Sequence, residues 1–375
     1  MSEQKKPTVS LCMIVKDEEH FLPSCLDSVK SFIDEIIIVD TGSTDRTIQI
    51  AKQYGAKIWN IPWEDDFSKA RNVALSHATC EWILQLDADE QMEQLDIGLL
   101  QSLLSNSQSE AYFLQIHNHK YETSGDQIIF PSVRLWRNRM EYRYHGALHE
   151  QIASSIVRYH PTEPLILTPI RIHHYGYSEG IVQEKKKSER NLRIAMAEVE
   201  RYPNSSFAHY NLAMEYSRMK KSDLAIKEYN HSIDFLKDYH EMWVPSLFRN
   251  FAGTLIADKR FKDASEILVK GLKYFPDYYD LIFQKGTCHF EFKEYPQAIG
   301  LFHQCLVTKE NPKYANQKGL NRERAHYSLG HCYLRLNLLD EAVYHYKKAF
   351  EWNKSFKEPM IQLAAIYNKL ATQKL

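Results

Sequence analysis

The sequence carries almost no net charge: 47 lysines and arginines face 48 aspartates and glutamates over 375 residues. Without a positive field, neither nucleic acid nor an anionic membrane is indicated as a partner. Cysteine is scarce and unpatterned. The six, at 12, 25, 80, 288, 305 and 332, contain no CxxC pair, so no disulfide framework and no zinc spacing is present. Reduced, mostly buried thiols of a cytoplasmic protein are expected instead. No apolar run reaches spanning length: Lys16 and Asp17 close the one nearest the start, and no small-residue cleavage site follows. No membrane span and no signal peptide are therefore expected. GxGxxG after the first strand, GxxxxGK[ST], HExxH and GxSxG are also missing, which removes the dinucleotide, P-loop, zinc-protease and α/β-hydrolase signatures.

What remains is an ordinary globular composition, 44% apolar and 25% charged, in a chain long enough for two or three domains. The first part alternates strand and helix. "VSLCMIV", "EIIIVD", "AKIWNI" and "EWILQLD" read as buried strands, and "EEHFLPSCLDSVKSFI", "TGSTDRTIQIAKQYG" and "DFSKARNVALSHAT" as the helices between them. This order implies a parallel, Rossmann-like sheet covered on both faces, with ligands beyond the carboxyl ends of its strands. The loops starting near Lys16, Asp40, Pro62 and Asp87 are expected to converge there. From about Ala111 to Tyr177 the pattern is β-rich and irregular, read as the acceptor-side half of the same domain. A helix bearing Lys185, Lys186, Lys187, Arg190 and Arg193 then leads to Pro203.

Beyond Asn204 a repeat appears. Its small anchors at Ala213, Ala252, Gly286, Gly330 and Ala364 are spaced 39, 34, 44 and 34 residues apart, and Ala225, Ala264, Ala298 and Ala342 follow twelve later. Large residues follow those alanines: Tyr229, Leu268, Phe302 and Tyr346. A period of 34 with this pattern resembles the tetratricopeptide repeat, an all-α solenoid with a concave surface for a partner. Fifteen of the 23 tyrosines lie beyond residue 200, and those in the large-residue slots are read as packing. The expected domains are 1–178, a linker helix over 179–203, and the repeats over 204–375.

The chemistry gathers in the first part. In "LQLDADEQ", Asp87 and Asp89 lie two apart in an extended segment and so project to the same side, where they can share a hard divalent cation that also holds phosphates. Asp40, ending the second strand, is placed to accept hydrogen bonds from a ribose or base, although it and Asp45 also suit a helix cap. Arg71 suits a phosphate.

In order along the chain, "VSLCMIVKDEEHFLPSCLDSV", "IIIVDTGSTDRT", "WEDDFSKARNVAL", "WILQLDADE", "RLWRN", "HGALHEQI" and "HHYGY" resemble inverting family-2 glycosyltransferases of the GT-A fold. In particular they resemble the bacterial branch with C-terminal tetratricopeptide repeats, which includes peptide S- and O-glycosyltransferases acting on bacteriocin precursors. The resemblance implies a UDP-sugar donor held by Val15, Glu18, Asp40, Asp66, Arg71 and Asp87. It further implies Mn²⁺ or Mg²⁺ on Asp89 and on a late histidine, His174 rather than His173, and Glu150 as the base that deprotonates the acceptor. Burial is expected to raise the pKa of Glu150, and His145 or His149 to orient it. Arg134 and Trp136 are placed on the acceptor side, and the basic run at 185–193 is read as a solvated helix face, with Arg190 or a neighbouring lysine approaching the diphosphate as the alternative. The acceptor implied is a peptide or protein cysteine or serine, with a cell-surface glycan as the alternative, and the repeats allow a homodimer. A reading of another class is a non-catalytic nucleotide-sugar-binding scaffold.

Overall fold

A computed structural model describes residues 6–119, 127–161, 165–175 and 181–372. The chain divides into two compact units, one of residues 1–119 and 130–204, the other of residues 120–129 and 205–375.

The first unit runs β1 (Val9–Val15), α1 (Leu22–Val29), β2 (Glu35–Asp40), α2 (Thr47–Gln53), β3 (Lys57–Asn60), α3 (Phe67–His77), β4 (Trp82–Gln85), β5 (Glu90–Met92), α4 (Ile97–Ser105), β6 (Ala111–His119), β7 (Gln127–Arg137), α5 (Ala153–Tyr159), β8 (Ile166–His174) and α6 (Ile181–Arg201). The strands order as β3-β2-β1-β4-β7-β6-β8-β5. β1 pairs in parallel with β2 and β4, and β2 with β3, as the alternation of strands and helices implies. Beyond β4 the sheet becomes mixed: β7 is antiparallel to β4, β6 is parallel to β8, and β5 is antiparallel to β8.

Alternate side chains of β1 feed different layers. Val9, Leu11, Met13 and Val15 pack with Leu22, Cys25, Leu26 and Val29 of α1 on one face, while Cys12 joins Ala74 and Leu75 of α3 on the other. Large side chains such as Trp82, Trp136 and Tyr112 are fully buried, each contributing about 1.5–3 kcal/mol through area removed from water. Parallel register carries Val15 opposite Asp40 and Asp40 opposite Asn60, so three strands end together at one edge.

The second unit pairs α7 (Ser206–Arg218) with α8 (Ser222–Asp234), α9 (Val244–Ala257) with α10 (Phe261–Tyr274), α11 (Tyr279–Glu291) with α12 (Tyr295–Val307), and α13 (Glu323–Arg335) with α14 (Leu339–Trp352), ending on α15 (Glu358–Thr372). The small anchors sit where aromatic rings press in. A Cβ on Gly286 would lie 2.8 Å from Phe302, and one on Gly330 2.6 Å from Tyr346. The 44-residue spacing has a local cause: between α12 and α13 the chain inserts β9 (Asn316–Gln317), which pairs with Ile129 and Ile128 of the segment grouped with this unit. Among the six cysteines, all free, Cys80 is part-exposed and the rest are buried. No described helix is long and apolar enough to cross a membrane.

Candidate active site

At the carboxyl edge of the parallel strands, Val15 and Asp40 are register partners, and the Val15 carbonyl accepts the N–H of Thr41 at 3.0 Å. The Asp40 carboxylate, buried, accepts the backbone N–H groups of Gly42 and Ser43 at 3.0 Å each. That tight turn needs Gly42, whose φ is +108°. Asp45 holds the N–H of Thr47 at the start of α2, and Glu18 docks on the same helix by donating its N–H to Thr47 Oγ1 at 2.7 Å. Asp66 caps α3, accepting from the Lys69 N–H at 3.0 Å and the Ser68 hydroxyl at 2.7 Å.

Past β4 the chain turns tightly, Glu90 donating its N–H to the Asp87 carbonyl at 3.0 Å, which packs three carboxylates into four residues. Two arginines neutralise them. Arg71, on α3, donates from Nη2 to Asp87 at 2.9 Å and from Nε to Glu150. Arg134, on β7, donates from Nη2 to Glu90 at 2.6 Å and approaches Asp87 at 3.8 Å. Burial alone would raise the pKa of Asp87, but the Arg71 and Arg134 charges outweigh it and hold the group well below the usual carboxylate range. Burial pushes Glu90 the other way, with the Asp87 charge adding to it and Arg134 opposing. Arg71 Nη1 and Arg134 Nε are both buried without a hydrogen-bond partner, a donor deficit of the kind an anionic ligand fills.

Asp89, in a turn where an extended segment was expected, meets β8 instead of the arginines. Its carbonyl accepts the Tyr175 N–H at 2.9 Å, and its Oδ2 lies 3.2 Å from Nε2 of His174. Burial disfavours a charged His174, but Asp89, with Glu90 and Asp87 behind it, raises the pKa on balance. Neighbouring residues of a strand point to opposite faces, so His173 turns elsewhere, its Nδ1 2.9 Å from Nε2 of His119. The rest of "HHYGY", Gly176 and Tyr177, lies outside the described residues. Among the described residues no three His, Cys, Asp or Glu side chains are grouped to hold a metal unaided. Asp89 and His174 are of a type suited to Mn²⁺ but would make only two ligands, and a bound diphosphate and water would have to supply the others.

Glu150 sits in a loop closed by reciprocal backbone hydrogen bonds between His145 and Gln151, at 3.1 and 2.9 Å. Its side chain is 11% exposed, and its partner is the Arg71 guanidinium that sequence reading placed on the nucleotide. Two expectations are corrected. Trp136 is 1% exposed and packs edge-on to Tyr144 in the core, which leaves no open face for an acceptor. Arg134, two residues earlier on β7, belongs to the carboxylate cluster. Arg190 lies over the Phe67 ring at 5.1 Å, and Arg193 pairs with Asp65. The side chains of Lys185 and Lys186 lie outside the description.

The pairing of Arg134 with Glu90 carried no sequence signal beyond the third acid after the strand. Nor did the grip of Asn72, whose side-chain amide exchanges two hydrogen bonds with the backbone of Tyr144, at 2.8 and 3.0 Å.

Residues 10–158 match the model of Glycosyl transferase family 2, and 208–235 and 323–356 match the Tetratricopeptide repeat. The chain carries a family-2 glycosyltransferase domain followed by tetratricopeptide repeats. The family-2 segment thus covers the parallel strands β1 to β4 and reaches into α5, while β8 with His174 and α6 lie beyond it. A TPR repeat-containing protein of Synechococcus elongatus is 42% identical over 188 residues, 48% of this chain and 45% of its own. The SPbeta prophage-derived glycosyltransferase SunS of Bacillus subtilis is 26% identical over 238 residues, 63% of this chain and 55% of its own. The chain therefore spans about half the length of these relatives, 45% and 55%. Among solved structures, YrrB, described as a TPR protein with an unusual peptide-binding site, aligns with 50% of this chain and 87% of its own at 18% identity and a TM-score of 0.39. That is a distant likeness from which nothing about partners follows.

Proposed function

We propose that the chain is a metal-dependent inverting glycosyltransferase that moves a hexose from a UDP-sugar to a cysteine or serine side chain of a peptide or protein. The observation that carries this reading is the Arg71 guanidinium held between Asp87 and Glu150, with an unpartnered buried N–H, beside the Asp89 and His174 pair. A diphosphate supplies the acceptors that Arg71 Nη1 and Arg134 Nε lack. Asp89 and His174 are the residues that would hold Mn²⁺ or Mg²⁺, whose chemistry is to offset charge on the departing diphosphate.

Val15, Glu18 and Asp40 line the strand edge assigned to the uridine, and Asp87 the ribose or sugar. Asp66 acts there indirectly, by capping the helix that carries Arg71. Glu150 takes the proton of the acceptor hydroxyl or thiol. The oxygen or sulfur then bonds the anomeric carbon as its bond to the diphosphate oxygen breaks, and UDP leaves with the electron pair. For this, Glu150 must exchange its ion pair with Arg71 for the acceptor, and a diphosphate competing for the same guanidinium favours that exchange. The free cysteines fit a reduced, cytoplasmic setting. The repeats fit recognition of an extended peptide.

Thermal unfolding with Mn²⁺ and a panel of UDP-, GDP- and TDP-sugars tests the donor. A nucleotide sugar at about 100 times its dissociation constant adds roughly 2.7 kcal/mol. Stabilisation by one UDP-sugar, lost without metal and in Asp89→Asn, is expected. Indifference to the whole panel would overturn the reading in favour of a scaffold. Mass spectrometry of peptides carrying cysteine or serine, incubated with enzyme and donor, then tests the acceptor by the gain of one hexose.

A further inference from the structure

We propose that Glu198, on α6 and outside the segment matched to family 2, is a positioning residue that tethers the loop carrying Glu150 by its hydrogen bond from the Ala147 backbone. The inference rests on the reading of Glu150 as the base.

The loop from Tyr144 to Gln151 is an unusual piece of backbone, with Gly146 at φ +94° and His149 at φ +55°. Such conformations persist where the surroundings hold them, and here the holding points are specific. Asn72 clamps Tyr144 at the entrance. In the middle, both sides of Ala147 are engaged: its carbonyl accepts the Phe67 N–H of α3 at 3.0 Å, and its N–H donates to Oε1 of Glu198 at 3.1 Å. Farther along, Glu150 meets Arg71 of α3. Three of these anchors come from α3, and α6 supplies one from a different direction.

Helix α6 holds its place without that bond. Arg193 forms a two-point ion pair with Asp65, and Arg190 covers Phe67. The second carboxylate oxygen of Glu198, Oε2, has no partner. Removing the side chain therefore breaks one hydrogen bond and leaves the helix anchored. A cavity of about 220 Å³, lined by Asp66, Lys69, Ala147, Glu198 and Arg201 among others, borders the bond. Once the carboxylate is gone, water can satisfy the Ala147 N–H there and the loop is free to shift. Burial raises the pKa of Glu198, with the Asp66 charge adding to it, so the neutral form is tolerated at this position. An uncharged oxygen accepts the same N–H, which makes glutamine the conservative replacement.

The experiment compares Glu198→Ala and Glu198→Gln with the parent chain by steady-state kinetics and by hydrogen exchange of the amides from 144 to 151. With Ala, kcat is expected to fall about 100-fold, the effect of misplacing a reacting group by roughly 1 Å, with donor KM unchanged and Ala147 exchange accelerated. With Gln, kcat and protection are expected to stay near the parent values. Unchanged kcat in Glu198→Ala despite faster exchange would overturn the proposal, and so would a Gln variant as impaired as the Ala variant. Glu150→Gln is assayed alongside. If it keeps its turnover, the base assignment is what fails, while loss of Ala147 protection in Glu198→Ala and its recovery in Glu198→Gln still support the tether.

Discussion

His174 Nε2 and Asp89 Oδ2 lie 3.2 Å apart, the last residue of β8 against the acid in the turn before β5. Antiparallel register sets Glu90 opposite His174 and so fixes this meeting. Asp89→Asn keeps the shape and removes the charge. A loss of activity on the order of 100-fold or more is expected, as for removing a group that stabilises developing charge. Isothermal titration with Mn²⁺ and donor separates lost binding from lost catalysis.

Arg71→Ala leaves the carboxylates of Asp87 and Glu150, 36% and 11% exposed, without their shared guanidinium. Breaking a buried ion pair costs about 3–5 kcal/mol, and the partial exposure of Asp87 places this one near 3 kcal/mol. A lower denaturation midpoint with unchanged slope is the expected result. Arg71→Lys restores charge but not the fork that reaches both acids, and should recover only part of the loss.

In the repeats, His326 and His345 face each other with their Nδ1 atoms 2.9 Å apart, which requires at least one neutral imidazole as acceptor. Burial, with His326 and His303 nearby, pushes His345 down to about 4. Burial also lowers His326, with His303 and Lys348 reinforcing and Glu351 opposing. The unfolded chain binds these protons near pH 6.5, before the folded one does. Stability is therefore complete above about pH 6.5 and declines as the pH falls toward 4. After discounting for solvent screening, about 1–2 kcal/mol should be lost by pH 5. Thermal unfolding from pH 7.5 to 5, with His345→Gln as the reference, measures it. An equal decline in that variant would assign the effect elsewhere.

Glycine-to-alanine changes should split by position. Gly330→Ala places a Cβ 2.6 Å from the Tyr346 ring, so destabilisation of about 1–3 kcal/mol is expected. Gly300→Ala meets nothing within 4 Å inside α12 and should gain roughly 0.5–1 kcal/mol from helix propensity. Denaturant titration of both variants reads the opposite signs directly.

Much of this molecule is local and was legible. Continuous apolar runs mark β1, β2 and β4, Gly55 with φ +74° stops α2, and the small and large alternation marks the helix pairs, because each depends on neighbours within a few residues. The acids after β4 were legible as a cluster, since burying them without partners is too costly to be accidental.

The sequence by itself determined the two kinds of architecture, the parallel start of the sheet and the residues proposed to bind metal and phosphate. Tertiary structure alone decided their pairings. Arg71 and Glu150 are separated by 79 residues, and only the packing of the 144–151 loop on α3 makes the guanidinium their meeting point. The antiparallel entry of β7 put Arg134 among the acids and Trp136 in the core, an outcome that alternation permits in either register. The meeting of His174, and not His173, with Asp89 was of the same kind: one residue of register turns the imidazole to the other face, and only the neighbouring strand says which face holds Asp89.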